Sequence, residues 1–243
     1  MGLYTKWRKK GLRDEDGVIV AADVMQEWLL PWWWEIYRTH NSLPVTFFDF
    51  GMSLSMQKWC KERGEYAALP IGGDLVSLKE KVEPSLACQW EQRLGEKFWE
   101  MRVSWFKKPL ACLQSPYRRT IWSDLDCEIR CSLAPLFRYC EKEPHISLNY
   151  YREYQTYNSG IVIFKRGSSA LKSWAEEIFP ISHLFRSDED LFTHVVKEQK
   201  LKIDEIPHIY NWDFKNKDHS QAEIIHWYGP LGKNAIYQKI ARY

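Results

Sequence analysis

The 243-residue sequence contains no run of about 18 apolar residues, so no membrane-spanning helix is expected. Its richest apolar stretch, EWLLPWWWEIY at 27–37, is short, is interrupted by Pro31 and is flanked by acids. An excess of one charge is missing too. Lys plus Arg number 34 against 32 Asp plus Glu, and a near-neutral chain lacks the basic face of a nucleic-acid binder, so no nucleic-acid partner is expected. The opening residues, MGLYTKWRKKGLRDEDG, lack the apolar core of a signal peptide, which leads to an expectation of a cytoplasmic location. There the six cysteines would be free thiols. A C-x2-C pair is absent, so Cys127, Cys131 and Cys140, followed by His145, miss the usual zinc spacing. Internal repeats, low-complexity tracts and long linkers are also lacking. One compact domain is expected over 1–243, with a polar lead-in at 1–16 and a C-terminal tail at 234–243.

What is present is ample core material, since 45% of the residues are hydrophobic and the 13 Trp and 13 Tyr are large space-fillers. Short apolar runs alternate with helical patterns. GVIVAAD (17–23) reads as a buried strand and residues 26–40 as a helix with Pro31 in its first turns. PVTFFDFGM (44–52) is a second strand, and a helix capped by Ser53 and ended by Gly64 follows it. IGGD (71–74) is a turn, 86–106 has a helical look, and 107–116 reads as a helix closed by Pro116. TIWSDLD (120–126) is a central strand, PLFRYC (135–140) a short helix, and NSGIVIFKRG (158–167) a strong strand. Two helices, at 168–179 and 188–199, and late strands around 202–212 and 222–229 complete the pattern. This alternation predicts an α/β fold with a doubly wound, parallel sheet. Trp32, Trp33 and Trp34 cannot all face one core, because successive helical positions are about 100° apart. The cluster is either core or a surface for lipid headgroups or a partner, and packing against the sheet and a neighbouring loop is the expected outcome.

Four short motifs carry chemistry. In TIWSDLD, Asp124 and Asp126 would share one face of a strand end, where two carboxylates suit Mg²⁺ or Mn²⁺. In YNSG, Asn158 and Ser159 offer hydrogen bonds to hydroxyls, and Gly160 allows close backbone approach. Asp188, Glu189 and Asp190 open a helix, where the macrodipole favours acids whatever else they do. In IIHWYGPLGK, His226 stands at a strand end, and a glycine-bearing turn through Gly229 leads to Lys233, a cation suited to a diphosphate.

The order of these motifs resembles that of the GT-A nucleotide-sugar glycosyltransferases, in particular the retaining group of glycogenin and the bacterial lipopolysaccharide galactosyltransferases. The resemblance spans roughly residues 17–235. It implies a GT-A domain with a Rossmann-like, mostly parallel central sheet flanked by helices. It further implies a metal-dependent transfer from a nucleoside-diphosphate sugar to a carbohydrate, lipid or protein acceptor. Asp124, Asp126 and His226 would hold the metal, and Lys233 the diphosphate. Ala21, Ala22 and Asp23 would border the nucleobase, and Asn158, Ser159 and Gly160 would face the donor sugar. Asp188 and Glu189 would stand near the anomeric carbon, Glu189 in place of the group's amide. The closing motif has one extra residue and lacks a Pro-Trp after the Lys. A sugar-nucleotide or phosphate-ester hydrolase, or a non-catalytic carbohydrate- or partner-binding relative, would use the same residues.

Overall fold

The computed structural model describes residues 11–69, 76, 79–95 and 97–241. IGGD at 71–74 and the first ten residues of the lead-in lie outside the described residues. The chain builds strand β1 (Asp16–Ala22), helix α1 (Leu29–His40), β2 (Val45–Asp49), α2 (Leu54–Lys61) and β3 (Glu65–Ala68). Then come α3 (Pro84–Leu94), α4 (Phe98–Leu113), β4 (Arg119–Ser123) and β5 (Cys127–Ile129). β6 (Ile146–Tyr151), β7 (Thr156–Lys165), α5 (Ser169–Glu176), α6 (Ile178–Ile181) and α7 (Asp188–Glu198) follow. The last elements are β8 (Asp204–Glu205), β9 (Trp212–Asp213), β10 (Ile224–His226) and α8 (Gly229–Ile240).

Among the described residues, seven strands form the central sheet in the order β3-β2-β1-β4-β7-β6-β8. β7 pairs antiparallel with both neighbours, and every other pair in that sheet is parallel, so the sheet is mostly parallel as expected. A small second sheet, β5-β10-β9, lies beside it. The period-two alternation of strands divides the core into two layers. Val18, Val20, Ile121, Ile161 and Ile163 pack with α1 and the second sheet, whereas Ile19, Trp122, Val162 and Phe164 pack with α4, α5 and α7. Each of these side chains is almost wholly buried, a burial that stabilises the fold by roughly 1.5–3 kcal/mol for a large aliphatic or aromatic group. Among the described residues no helix is long and apolar enough to cross a membrane.

The tryptophan run resolves by helical geometry. Trp33 is fully buried, stacks on Tyr37 and donates its Nε1–H to Ser123 Oγ at 3.1 Å. Trp32 and Trp34 are half-buried at the edge of the same core, Trp34 against Trp59 and Phe47. The cluster is core and core margin.

Four expectations change. Residues 98–113 form one helix with Pro109 inside it, where separate helical segments were expected on either side of residue 107. β4 ends at Ser123, so Asp124 and Asp126 occupy a turn between β4 and β5 and do not alternate along a strand. The strand expected from Asn158 begins two residues earlier, so Asn158, Ser159 and Gly160 lie within β7 and not at its start. The GPLGK segment is the first turn of α8 rather than an open turn, and helix replaces the expected tail as far as Ile240. Gly229 makes the bend into α8 with φ +72°, a conformation that glycine adopts without strain.

Candidate active site

The sheet topology brings the distant motifs to one edge. Antiparallel pairing of β4 with β7 sets Ser123 opposite Ile161, and the ladder continues past the strand end, with Asp124 N–H donating to Gly160 O at 2.8 Å. Antiparallel pairing of β5 with β10 sets Cys127 opposite His226, and Trp227 N–H donates to Asp126 O at 2.8 Å. The imidazole therefore arrives beside both aspartates. His226 Nε2 lies 3.3 Å from Asp126 Oδ1 and 3.8 Å from Asp124 Oδ2. A Cβ on Gly160 would come within 2.4 Å of the His226 ring, so only a glycine leaves room for it there.

The tautomer follows from the other ring nitrogen. Nδ1 is 3.1 Å from Asn158 Oδ1, and the same oxygen accepts from Gly160 N at 3.0 Å and Asn211 Nδ2 at 2.6 Å. Nδ1 is thus a protonated donor, which leaves Nε2 as the nitrogen that faces the carboxylates. Burial opposes an imidazolium, yet hydrogen bonding and charge from Asp126 outweigh it and raise the His226 pKa. Burial likewise works against ionised Asp126, but the charge of Lys233 and the hydrogen bond to His226 hold its carboxyl well below the usual range. Lys233 Nζ is 2.5 Å from Asp126 Oδ2. Gly232 lets α8 pack this closely, since a Cβ there would lie 2.1 Å from the Trp227 carbonyl oxygen.

Asp124 has a separate cation. Lys108, buried in α4, places Nζ 3.2 Å from Asp124 Oδ2, 2.7 Å from Ser159 Oγ and 3.5 Å from Asp188 Oδ2. Burial alone would strip its proton, but Asp124, Asp188 and Glu189 together raise its pKa. Sequence reasoning missed Lys108. Its one signal is a lysine in the apolar segment KKPLACL, where the first of two lysines reads as surface and the second is enclosed. Asn211, also missed, is completely buried and unremarkable in the sequence. Trp122 Nε1–H donates to Asp124 Oδ1 at 2.7 Å.

The acids at the start of α7 divide by role. Asp190 pairs at 3.1 Å with Arg186, which stands just before the helix. Asp188 Oδ2 accepts from Ser159 Oγ at 2.8 Å, and Glu189 Oε1 accepts from Ser159 N at 2.9 Å. Burial raises the Asp188 pKa despite Lys108. Burial first, and the Asp188 charge second, push Glu189 up to about 7. A carboxyl whose folded pKa is raised keeps its proton longer than the unfolded chain does, so its contribution to stability falls as pH rises from about 4.5 to about 7. Glu189→Gln retains the acceptor oxygen without the charge. Its thermal unfolding midpoint is expected to exceed that of the native chain by a small margin at pH 5 and by a larger one at pH 8. A gap that stays constant across this range would rule out the raised pKa.

Ala21, Ala22 and Asp23 stand at the neighbouring strand end rather than in this cluster. Asp23 Oδ1 accepts from Met25 N and Gln26 N at 2.9 and 3.0 Å, and Oδ2 from Ser104 Oγ at 2.5 Å, so its carboxylate caps the turn into α1. Gly229 contributes the bend into α8 and no side chain. Among the described residues, one group of His, Cys, Asp and Glu has metal-ligand spacing, namely Asp126, Cys127 and His226; Asp124 stands outside it, and Cys127, Cys131, Cys140 and His145 do not form such a group. All six cysteines are free thiols.

No protein-family model matches the sequence, and comparison with curated proteins gives no match. Solved structures do match. Mouse xyloside xylosyltransferase 1 is 14% identical with a TM-score of 0.54, over 87% of this chain and 97% of that one. The galactosyltransferase LgtC, solved with donor and acceptor sugar analogues, is 11% identical with a TM-score of 0.54, over 88% and 87% of the two chains. The mannosyltransferase Ktr4p of S. cerevisiae, solved with GDP, is 9% identical with a TM-score of 0.54, over 80% and 68%. At these identities the likeness is one of fold, and the fold is that of the GT-A glycosyltransferases.

Proposed function

We propose that a chain with this fold and this cluster transfers a sugar from a nucleoside-diphosphate sugar to a hydroxyl of a carbohydrate, lipid or protein acceptor, with retention at the anomeric carbon. The observation that carries the reading is the convergence of Asp124, Asp126 and His226 Nε2 beside Lys233. Two carboxylates and an imidazole whose Nε2 faces them are a donor set that fits Mn²⁺ or Mg²⁺ once the imidazole gives up its Nε2 proton. Such an ion, when bound, supplies Lewis-acid stabilisation of the phosphate charge.

The chain's own residues supply the rest. Lys233 and the first-turn N–H groups of α8, which no side chain caps, would hold the departing diphosphate and offset the charge growing on it. Ser159, Asp188 and Glu189 would hold the donor sugar's hydroxyls, and Lys108 would keep that acidic wall in place. Asn158 would aim the imidazole, and Gly160 would give the ring its room. Ala21, Ala22 and Asp23 would border the base from the next strand. Two of the similar structures were solved with donor and acceptor analogues or with GDP, which fits a nucleotide-sugar donor.

Thermal unfolding of the chain with UDP, GDP, ADP and CDP, each with and without Mn²⁺, tests this. A nucleotide of micromolar Kd at millimolar concentration stabilises by about 4 kcal/mol. One base is expected to raise the midpoint by several degrees, and only with the cation present. If no nucleoside diphosphate moves it, the reading fails. Sugar released to water at the same rate with and without acceptors would turn the transferase into a hydrolase.

A further inference from the structure

A cleft of about 550 Å³ opens between the end of β6 and the segment from β8 to residue 216. That volume falls in the ordinary range for small-molecule sites. Two chains of contact tie it to the cluster described above. Tyr151, in its lining, donates its hydroxyl to Asn211 O at 3.0 Å, and Asn211 in turn bonds Asn158, the residue that aims His226. Asp213, also in the lining, accepts from Tyr228 OH at 2.7 Å, and the Tyr228 ring lies 5.4 Å from the His226 ring.

The lining has two properties. One is an aromatic wall: the Tyr151 ring lies 6.4 Å from that of Tyr154 and 6.0 Å from that of His208, and Tyr154 is 46% exposed. Such rings offer flat apolar area with polar edges, suited to the C–H face of a sugar. The other is an excess of hydrogen-bond acceptors. Asn149 is 4% exposed and spends its Nδ2 on Ile206 O at 3.0 Å, so it offers the cleft no free side-chain donor. Three carboxylates, on Glu153, Glu205 and Asp213, line the same cleft against one guanidinium, Arg152, which is already paired with Glu205 at 3.0 Å. Burial lowers the His208 pKa, so it adds no charge at neutral pH.

We infer that this cleft is the acceptor subsite and that it selects a neutral or amine-bearing saccharide over an acidic one. The word acceptor rests on the transferase reading, whereas the choice of chemistry rests on the cleft alone. A ligand rich in O–H or N–H groups can donate to the carboxylates of the lining, and a uronate or sialate meets like charge at close range.

The test applies the full chain to a printed array of neutral, amine-bearing, and uronate- or sialate-bearing oligosaccharides. The nucleoside diphosphate thermal shift is measured in parallel. Neutral or aminated glycans are expected to bind at least tenfold more tightly than acidic ones of the same length. Tyr154→Ala should weaken binding at least tenfold, and Glu153→Lys should narrow the charge preference. Both residues are exposed, so folding and the nucleotide shift should be unchanged. Acidic glycans bound equally well or better, or no glycan bound while the nucleotide shift is present, would overturn the inference, as would two silent variants. Saccharide binding that is sensitive to the variants but comes without any nucleotide shift would support the cleft and remove the transferase reading.

Discussion

Asp126→Asn is expected to fold and to transfer sugar about a thousandfold more slowly than the native chain, the order lost when one strong electrostatic contact to a developing charge is removed. The amide has the carboxylate's shape. Its oxygen can still accept from Lys233, and its N–H can meet the His226 lone pair, so the buried neighbours keep partners. What disappears is the one fully buried negative charge within 3.3 Å of His226 Nε2. Two measurements check this. Calorimetric titration with Mn²⁺ should show much weaker binding, and circular dichroism should be unchanged. A native rate at saturating Mn²⁺ would sink the assignment of Asp126 to the cation site. The alanine variant is the poorer test, because it strands Lys233 and His226 without a counter-charge, and breaking a buried pair costs about 3–5 kcal/mol.

Lys108→Met is expected to lose about 3–5 kcal/mol of stability at pH 7.5, since the thioether fills the space and leaves three acids without their common cation. Asp124, Asp188 and Glu189 all draw on this one ammonium. The sign of the pH dependence follows from linkage. Without Lys108 the folded-state pKa values of Asp188 and Glu189 rise further above their unfolded values, so the folded variant binds more protons than the unfolded one between about pH 4 and 7. Part of the lost stability should therefore return as the pH falls from 7.5 to 5. Urea unfolding at the two pH values measures it. An equal deficit at both would mean that Lys108 acts by packing alone.

The fold was legible because its signals are local and repeated. VIVAA, TFFD and GIVIF are short apolar runs buried on both faces, and each is set off by polar or glycine positions. The pairing of motifs was legible only through their order. Nothing near Asp126 in the sequence says that His226 sits beside it, since that proximity comes from the β5–β10 pairing across about a hundred residues. Turn chemistry hid local detail. TIW predicts a strand through Asp124 and Asp126, yet the strand stops at Ser123, and a turn sets the two carboxylates 3.8 and 3.3 Å from His226 Nε2. The GPLGK segment looked open because glycine and proline mark loops. Here Pro230 occupies the first turn of a helix, where its missing N–H costs nothing, and Gly232 is needed for packing against Trp227. Lys108 was illegible for a different reason. Lysine is almost never fully buried, and only the three-dimensional cluster of acids explains why this one is.

The two like charges of this turn are matched within the chain: Lys108 serves Asp124 and Lys233 serves Asp126. A divalent ion is therefore not required for the pair to be tolerated, and its arrival would have to compete with Lys233 for the same oxygen.

Three N–H donors, one of them on the imidazole itself, meet on the single amide oxygen of Asn158. The imidazole is consequently aimed by a neutral scaffold, indifferent to added salt and to the proton traffic among the surrounding lysines and acids. Ionic conditions can rearrange what His226 faces, while the direction in which it faces stays put.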